Sequence, residues 1–230
     1  MIRRKENFFT TSDGAKIYFE DYGEGQPIVL VPGYLCTSKF FSRNIEGLSK
    51  NNRLILVDVR GHGSSSKTAQ GLTIPHCAQD IKELFDCLGL EDAFLIGWSM
   101  GSSVVMSYWE QFKNHRVKAL GIVDSALYPF SPEDWNSHSL KGYNLDGMNA
   151  AMNKSVTDHS GYCRAFASVI WKETPLAEDV DWVTTEMTKT PPWIAFAIYS
   201  DFLHRDYVSV LPSVTVPVMV AVIVEIEKVG

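Results

Sequence analysis

The chain has 230 residues and a formal net charge of −6; 45% of its residues are apolar and 21% are charged. This size and composition fit one globular domain with a small subdomain. The acidic balance argues against nucleic acid or an anionic membrane surface as a partner. The longest uncharged apolar run, Val216 to Val224, is too short to cross a bilayer.

The basic N-terminus is not followed by the apolar core of a signal peptide. The four cysteines (Cys36, Cys77, Cys87 and Cys163) lie far apart and are expected to be reduced thiols in a cytoplasmic protein. No cluster of histidine, cysteine and carboxylate residues has the spacing of a metal site, and no glycine-rich phosphate loop occurs. Neither a metal nor a cofactor is therefore expected.

The first sixty residues predict three strands and a helix. Lys16 to Tyr22 has alternating character and is expected to form an edge strand after a turn at Asp13-Gly14. Two continuous apolar runs, Pro27 to Val31 and Arg53 to Asp58, are typical of strands buried on both faces. A helix is expected between them, over Thr37 to Lys50.

The next helix is the best defined element of the sequence. Thr73 can cap it, Pro75 suits its first turn, apolar residues recur with helical spacing, and Gly89 ends it. The elements expected after it are a strand over Asp92 to Gly97, a helix over Gly101 to Phe112 and a strand over Val117 to Val123. This alternation predicts an α/β fold with a mostly parallel central sheet and helices on both faces.

The pattern changes after Asp124. Residues 126–205 contain helical stretches but no convincing strand, and a helix is expected to start at Ser131-Pro132-Glu133-Asp134. Apolar strand character returns only at Val214 to Val224. We therefore divide the chain into a core, residues 1–125 and 206–230, and a helical lid inserted over residues 126–205. The aromatic residues of the lid either line a pocket for an apolar substrate or form the lid's own core.

The segment Gly97-Trp98-Ser99-Met100-Gly101 is a Gly-x-Ser-x-Gly sequence between a predicted strand and a predicted helix. A serine on such a sharp turn has an exposed hydroxyl with backbone N–H groups beside it. A side chain at either glycine is expected to collide with the neighbouring strand or helix. In this context the pentapeptide predicts that Ser99 is a catalytic nucleophile.

Four segments resemble the α/β-hydrolase family, in particular its small esterases and cofactor-free haloperoxidases (perhydrolases). They are Val31 to Tyr34, Asp58 to Ser65, Gly97 to Gly101 and Val123 to Ser125. The resemblance implies hydrolysis of a carboxylic ester or related acyl compound through an acyl-serine intermediate, with a small apolar acyl or aromatic ester as substrate. It also implies that Ser99 attacks and that the backbone N–H groups of Tyr34 and Met100 form the oxyanion hole. A halide-dependent peracid chemistry would use the same serine.

The turn from Asp58 to Ser65 follows the second buried strand. A structural role is expected ahead of the alternative, a catalytic one: an ion pair between Asp58 and Arg60, together with the two glycines of the loop, would pin this loop near the site. His62 belongs to the same loop and is not expected to be the catalytic base.

A serine nucleophile needs a base to accept its proton and a carboxylate to orient that base. The family order is serine, then Asp or Glu, then histidine. Asp124 is the tentative acid, with a role as a hinge or cap for the lid as the equal alternative. Glu225 and Glu227 are further candidates for the acid.

The histidine that the family places near the C-terminus has no counterpart, because no histidine follows His204. His204 is the nearest substitute by chain order, whereas surface positions are expected for His76, His115, His138 and His159. The chain therefore resembles a C-terminally truncated hydrolase, and its activity is expected to be impaired. The alternative is a catalytically silent protein of the same fold that binds a small ligand or partner.

The run Val216 to Val224 matches the strand that follows the lid. Without a further strand beside it, this run would be an unprotected apolar sheet edge, which invites pairing with another chain. Self-association through this edge is therefore expected.

Overall fold

The computed structural model describes residues 4–171 and 173–222, and for residues 4–6 it describes the backbone alone. The strands of this part are β1 (Arg4–Thr10), β2 (Lys16–Tyr22), β3 (Gln26–Val31), β4 (Asn52–Val57), β5 (Ala93–Trp98), β6 (Val117–Val123) and β7 (Val218–Ala221). They form one sheet in the order β1-β2-β4-β3-β5-β6-β7. β1, β2 and β4 pair antiparallel, and every pair from β4 through β3, β5 and β6 to β7 is parallel.

The α-helices of the described residues are α1 (Ile45–Ser49), α2 (Ile74–Leu88), α3 (Met100–Phe112), α4 (Leu145–Thr157), α5 (His159–Val169), α6 (Ala177–Met187) and α7 (Pro192–His204). Two 3-10 helices cover Ser38–Asn44 and Leu211–Ser213. Thr73 caps α2 by accepting the N–H of His76, and Gly89 ends it in the left-handed conformation with φ 58°. The predicted α/β fold with a mostly parallel sheet is confirmed.

The two faces of the sheet are covered unequally. A large buried cluster, which includes Val29, Phe85, Leu95 and Val104, joins one face to α2, α3 and the later helices. Because successive strand residues point to opposite faces, Ile28, Leu30, Leu54 and Leu56 pack on the other side, against Phe41, Ile45 and Leu48. That second face is covered by the 3-10 helix and α1.

Three sequence predictions were wrong in detail. β2 is not an edge strand, because β1 pairs with its outer side from Arg4 opposite Tyr22 to Thr10 opposite Lys16. Residues 4–7 are all charged or amidic, so they carry no apolar alternation that would have indicated a strand.

The helix expected over Thr37 to Lys50 consists of the 3-10 helix followed by the short α1. Over so short a run, apolar residues three and four apart fit either kind of helix, so the pattern could not distinguish them.

The helix expected to start at Ser131 is a turn instead. The Asn136 side-chain amide donates hydrogen bonds to the carbonyls of Pro129, at 2.8 Å, and Ser131, at 2.7 Å. The Ser131 hydroxyl accepts the N–H of Glu133 at 3.3 Å. These local bonds satisfy the backbone without a helix, and the next helix in the chain is α4.

The helices α4–α7 all lie between β6 and β7 in the chain. α5 packs against α4 and α6, whereas α7 packs against α4 and α2. Glu186 in α6 is almost fully buried, accepts the hydroxyl of Thr37 at 2.9 Å and pairs with Lys39 at 3.2 Å. This places α6 over the segment that follows β3. None of the described helices is long and apolar enough to cross a membrane.

Candidate active site

Ser99 occupies a sharp turn between β5 and α3. Its backbone has φ 53° and ψ −123°, a conformation outside the main allowed regions for an L-residue. The turn is held in place because the Ser99 N–H donates to Val123 O at 2.9 Å and the Ser102 N–H donates to Ser99 O at 2.8 Å. Such strain persists only where the surroundings enforce it, and it concentrates at functional sites. The serine is half-buried.

The two glycines of the pentapeptide are required by close backbone contacts. A Cβ at Gly97 would lie 2.2 Å from Gly101 O, and a Cβ at Gly101 would lie 2.2 Å from Val31 O and 2.7 Å from Pro32 O. All of these neighbours are backbone atoms, which cannot turn away as a side chain can. The collisions expected from the sequence are therefore present on both sides of the turn.

The loop after β3 lies directly against the Ser99 side chain. A Cβ at Gly33 would be 3.1 Å from Ser99 Cβ and 3.5 Å from Ser99 Oγ. The N–H of the next residue, Tyr34, has no acceptor among the described residues. The N–H of Met100 is also without one, because the first N–H groups of an α-helix have no intrahelical partner. Two free backbone donors thus come from the two segments that border this serine.

Aromatic contacts fix the Tyr34 loop beneath the later helices. The Tyr34 ring is buried and stacks on Tyr199 of α7, with ring centroids 4.5 Å apart, and it also contacts Phe166 of α5. Burial raises the pKa of the Tyr34 phenol, so it stays neutral at physiological pH. The position of the loop is therefore coupled to the packing of α5 and α7.

The loop from Asp58 to Ser65 is pinned, but not by the predicted ion pair. Asp58 accepts the N–H groups of Ser38, at 2.6 Å, and Ser64, at 2.7 Å, and burial raises the pKa of its carboxyl. The fully buried Arg60 pairs instead with Asp80, at 2.6 Å, and Asp13, at 2.8 Å. The expected Asp58–Arg60 pair was wrong because α2 and the β1–β2 turn bring closer carboxylates to the guanidinium.

His62 is fully buried in the same loop. Its Nδ1 lies 3.1 Å from Arg60 O, and its Nε2 has no partner among the described residues. Burial lowers the pKa of His62 to about 4, so the ring is neutral at physiological pH. The low pKa makes the ring a weak proton acceptor, and its contact is with its own loop and not with Ser99, in agreement with the expectation that His62 is not the catalytic base.

Every histidine of the chain lies in the described part, and no ring is hydrogen-bonded to Ser99 or Asp124. His76 and His115 pair with Asp13 and Asp86, each at 3.1 Å, in partly exposed positions. The exposed His204, the nearest substitute by chain order, has its Nδ1 2.7 Å from Ser200 O. The printed sequence thus offers six imidazole rings, and in the structure each makes its hydrogen bond or ion pair with a group other than Ser99.

The two remaining histidines are less exposed than the sequence suggested. His138 is half-buried, accepts the N–H of Leu140 at 3.1 Å, and has its pKa lowered by burial. His159 is also half-buried; its Nε2 lies 2.7 Å from Thr190 O, while its Nδ1 is buried without a partner among the described residues. Surface positions were expected for both because their burial depends on helix packing that the sequence does not show.

Asp124, the tentative acid, follows β6 with φ 45°, and its N–H donates to Ala221 O at 2.7 Å. Its side chain is exposed, and no hydrogen bond joins its carboxylate to another described residue. The other two candidates for the acid, Glu225 and Glu227, lie outside the described residues. Within residues 4–171 and 173–222, no three or more histidine, cysteine or acidic side chains are grouped to hold a metal ion.

A model of the alpha/beta hydrolase fold family matches residues 26–152, which is more than half of the chain and includes Ser99. The chain belongs to this family. It is 31% identical over 163 residues to a non-heme haloperoxidase of Rhodococcus erythropolis, covering 70% of this chain and 58% of that protein. It is also 29% identical over 125 residues to a bifunctional esterase/perhydrolase of Acinetobacter calcoaceticus, covering 53% of this chain and 45% of that protein. The matches thus span about half the length of these curated relatives.

The structure also resembles solved hydrolases of the family. An esterase from Exiguobacterium antarcticum superposes with a TM-score of 0.86 at 24% identity, covering 94% of this chain and 80% of that one. At this identity the likeness shows a shared fold. This chain therefore shares its overall fold with that esterase.

A cavity of about 300 Å³ is lined in part by Trp98, at the end of β5 in this hydrolase-fold chain. Its lining includes Phe40, Arg43, Trp98, Trp171, Asp179 and Trp182. Trp98 directly precedes Ser99, while Asp179, Trp182 and Val183 share one face of α6 because they are three and four residues apart. Neither Arg43 nor Asp179 was predicted as a site residue, and the helical spacing of Asp179 and Trp182 is the one sequence signal that points to this lining.

Proposed function

We propose that this chain carries a serine hydrolase site that acts on a carboxylic ester or related acyl compound, with Ser99 as the nucleophile. The observation that carries this proposal is the strained turn at Ser99, which brings its side chain against the Gly33 loop. A strand-to-helix turn of this kind exposes the hydroxyl of a serine nucleophile. The similarity to a bifunctional esterase/perhydrolase agrees with an acyl chemistry.

In the proposed reaction, Ser99 Oγ attacks the acyl carbonyl carbon, the alcohol leaves, and water hydrolyses the acyl-serine. The negative charge that develops on the carbonyl oxygen would be stabilised by the free N–H groups of Tyr34 and Met100. Each such donor lowers the barrier by about 2.7–4 kcal/mol in comparable sites. The same serine could form a peracid when hydrogen peroxide replaces water, so esterase and perhydrolase activity share one site.

Among the described residues, the proposed site has no histidine hydrogen-bonded to Ser99 that could accept its proton. Each of the six histidine rings has its described contact away from Ser99, and the proposed acid Asp124 has no imidazole beside it. We therefore propose that this chain is a slow hydrolase. Loss of a triad member leaves roughly 10³–10⁴-fold acceleration over water, which comes from binding and the oxyanion hole.

The helices α4–α7, within residues 126–205, are proposed as a lid that selects a small apolar acyl or aromatic ester. Support comes from the stacking of Tyr34 on Tyr199 and from the aromatic lining of the cavity beside Trp98. The four unpaired cysteine thiols support a reducing, cytoplasmic location as part of the same proposal.

A fluorophosphonate probe tests the nucleophile directly. We expect slow but stoichiometric labelling that disappears in Ser99→Ala and persists in Ser103→Ala, a matched buried serine on α3. Added imidazole should raise ester hydrolysis above its own background for the wild-type chain and not for Ser99→Ala, because it replaces the missing base.

A second candidate function is a catalytically silent protein that binds a small ligand in the cavity. It is favoured by the observation that all six histidine rings make their described contacts away from Ser99. Absence of labelling even with imidazole, together with saturable ligand binding, would establish that alternative. Labelling that survives in Ser99→Ala would place the nucleophile elsewhere and contradict the proposed site.

A further inference from the structure

The cavity beside Trp98 combines aromatic rings with two opposite charges. Phe40 lies between two indoles, with its ring centroid 6.1 Å from that of Trp98 and 5.1 Å from that of Trp182. Trp171 contributes a third indole, and its Nε1 already donates to Ala167 O at 2.7 Å. The Trp171 side chain therefore offers a ligand its ring and not its N–H group.

The two charged residues of the lining are Arg43 and Asp179. They form no ion pair with each other, and neither has a side-chain partner of opposite charge among the described residues. By contrast, Asp181 on the same helix pairs with Arg164 at 2.6 Å. Asp179 is half-buried and Arg43 is exposed. Because Coulomb interactions are stronger where water is excluded, the carboxylate should influence a bound ligand more than the guanidinium.

The aromatic rings of the lining favour a positively charged ligand. The face of an aromatic ring is electron-rich, so it attracts a cation and repels an anion. An anion bound here would gain an exposed arginine and face four ring-bearing side chains together with a carboxylate. A cation would gain both the rings and Asp179.

We propose that this cavity binds an organic ammonium group, and that the chain prefers esters whose acyl or alcohol part carries one. The ester preference rests on the proposed function, since the lining residue Trp98 directly precedes the proposed nucleophile Ser99. The binding of the cation does not, because it needs only the lining residues. A volume of about 300 Å³ lies within the size range of small-molecule sites.

Two probes of the same shape separate charge recognition from simple apolar burial. Phenyltrimethylammonium and tert-butylbenzene differ in one central atom and in charge. A merely apolar cavity would bind tert-butylbenzene more tightly, because the ammonium salt loses hydration on burial. We expect the opposite order by roughly tenfold, from cation–π contacts and Asp179, in titrations followed by tryptophan fluorescence.

Charge variants locate the interaction. Asp179→Asn should weaken phenyltrimethylammonium binding by roughly fivefold to tenfold. Glu178→Gln, which removes a neighbouring charge from the same turn of α6 without touching the lining, should not. Arg43→Gln should strengthen cation binding, and Trp182→Leu should weaken it, whereas Trp135→Leu, outside the cavity, should leave it unchanged. Circular dichroism checks that each variant is folded.

Several results would overturn the inference. They are equal or tighter binding of tert-butylbenzene, no saturable binding of the ammonium salt, equal effects of Asp179→Asn and Glu178→Gln, or tight benzoate binding that is lost in Arg43→Gln. Ser99→Ala should bind the cation as the wild type does. A wild-type chain that binds the cation but is not labelled by the fluorophosphonate would contradict the proposed function alone, and a wild-type chain that is labelled but does not bind the cation would contradict the cation site alone.

Discussion

The core around the serine turn and the helices α4–α7 are held together by different kinds of contact. At the turn, backbone approaches backbone: a Cβ on Gly101 would meet Val31 O at 2.2 Å. In the helices the close contacts involve side chains: a Cβ on Gly147 in α4 would meet Leu140 Cδ2 at 2.8 Å, and a Cβ on Gly161 in α5 would meet Asp158 Oδ2 at 2.0 Å. Backbone contacts permit one residue type, whereas side-chain contacts can be satisfied by many. The core therefore has motifs that a sequence reveals, and the helices do not.

The largest expected effect follows from this difference. Gly101→Ala should cost more than about 3 kcal/mol of unfolding free energy, because the backbones of Val31 and Pro32 would have to move. Gly147→Ala should cost less than about 1 kcal/mol, since Leu140 can change rotamer and alanine favours the helix. Urea unfolding of both variants measures the two values.

Gly47→Ala is the control for helix propensity, because nothing lies within 4 Å of its added Cβ. It should be neutral or slightly stabilising. Equal urea midpoints for Gly101→Ala and Gly147→Ala would show that the core tolerates change as readily as the helices do.

The second effect concerns a buried histidine of the core. His62 in the core is fully buried with its pKa lowered to about 4, whereas the pKa of an unfolded histidine is about 6.5. Between these values the unfolded chain binds more protons than the folded chain, so stability falls as the pH drops. The full effect is about 3 kcal/mol, present above pH 6.5 and lost progressively towards pH 4.

The contribution of His62 to this pH dependence can be tested by measuring the unfolding free energy of the wild type and of His62→Asn as a function of pH. The asparagine amide can replace the donor to Arg60 O but does not titrate, so the variant should show a shallower slope between pH 6.5 and 4. A variant at position 62 with an unchanged slope would mean that other groups cause the acid sensitivity.

These two regions also explain which sequence predictions succeeded. The parallel strands β3–β6 and the helix α2 carry continuous apolar runs or clear helical spacing, and their bounds were predicted to within two residues. β1 was missed because its pairing depends on β2 and not on its own sequence. The partners of Arg60 were missed because Asp13 and Asp80 are distant in the chain and meet only through the fold.

The candidate site also has one part that could be predicted from the sequence and one part that could not. Ser99 and its glycines could be proposed from local spacing, since the turn constrains five consecutive residues. The cavity beside Trp98 could not, because its lining comes from three separate segments: the 3-10 helix, the end of β5 and the region of α5 and α6. Such a site is defined by packing between elements, which periodicity does not encode.

β7 is an exception within the core, and it is where we expect the smallest effect on stability. Unlike β3 and β5, it has large exposed apolar side chains, with Val218 40%, Met219 50% and Val220 67% exposed. It also ends the described sheet, with β6 on one side only; the rest of the predicted edge, residues 223 and 224, lies outside the described residues. We propose that this edge pairs with a second copy of the chain.

A charge on the exposed side of β7 should reduce self-association without unfolding the core. Val220→Lys should lower the associated fraction in sedimentation velocity and light scattering, and should change the unfolding free energy by less than about 0.5 kcal/mol. Leu211→Lys is the matched control, because Leu211 is also an exposed apolar residue, at 39%, but lies outside the strand. Equal effects of the two lysines would indicate general charge repulsion, and a monomeric wild-type chain would contradict edge pairing. An effect specific to Val220 would mean that hydrogen bonds to β6 hold β7 in the sheet, while its exposed apolar side chains form a surface that contacts a second copy of the chain.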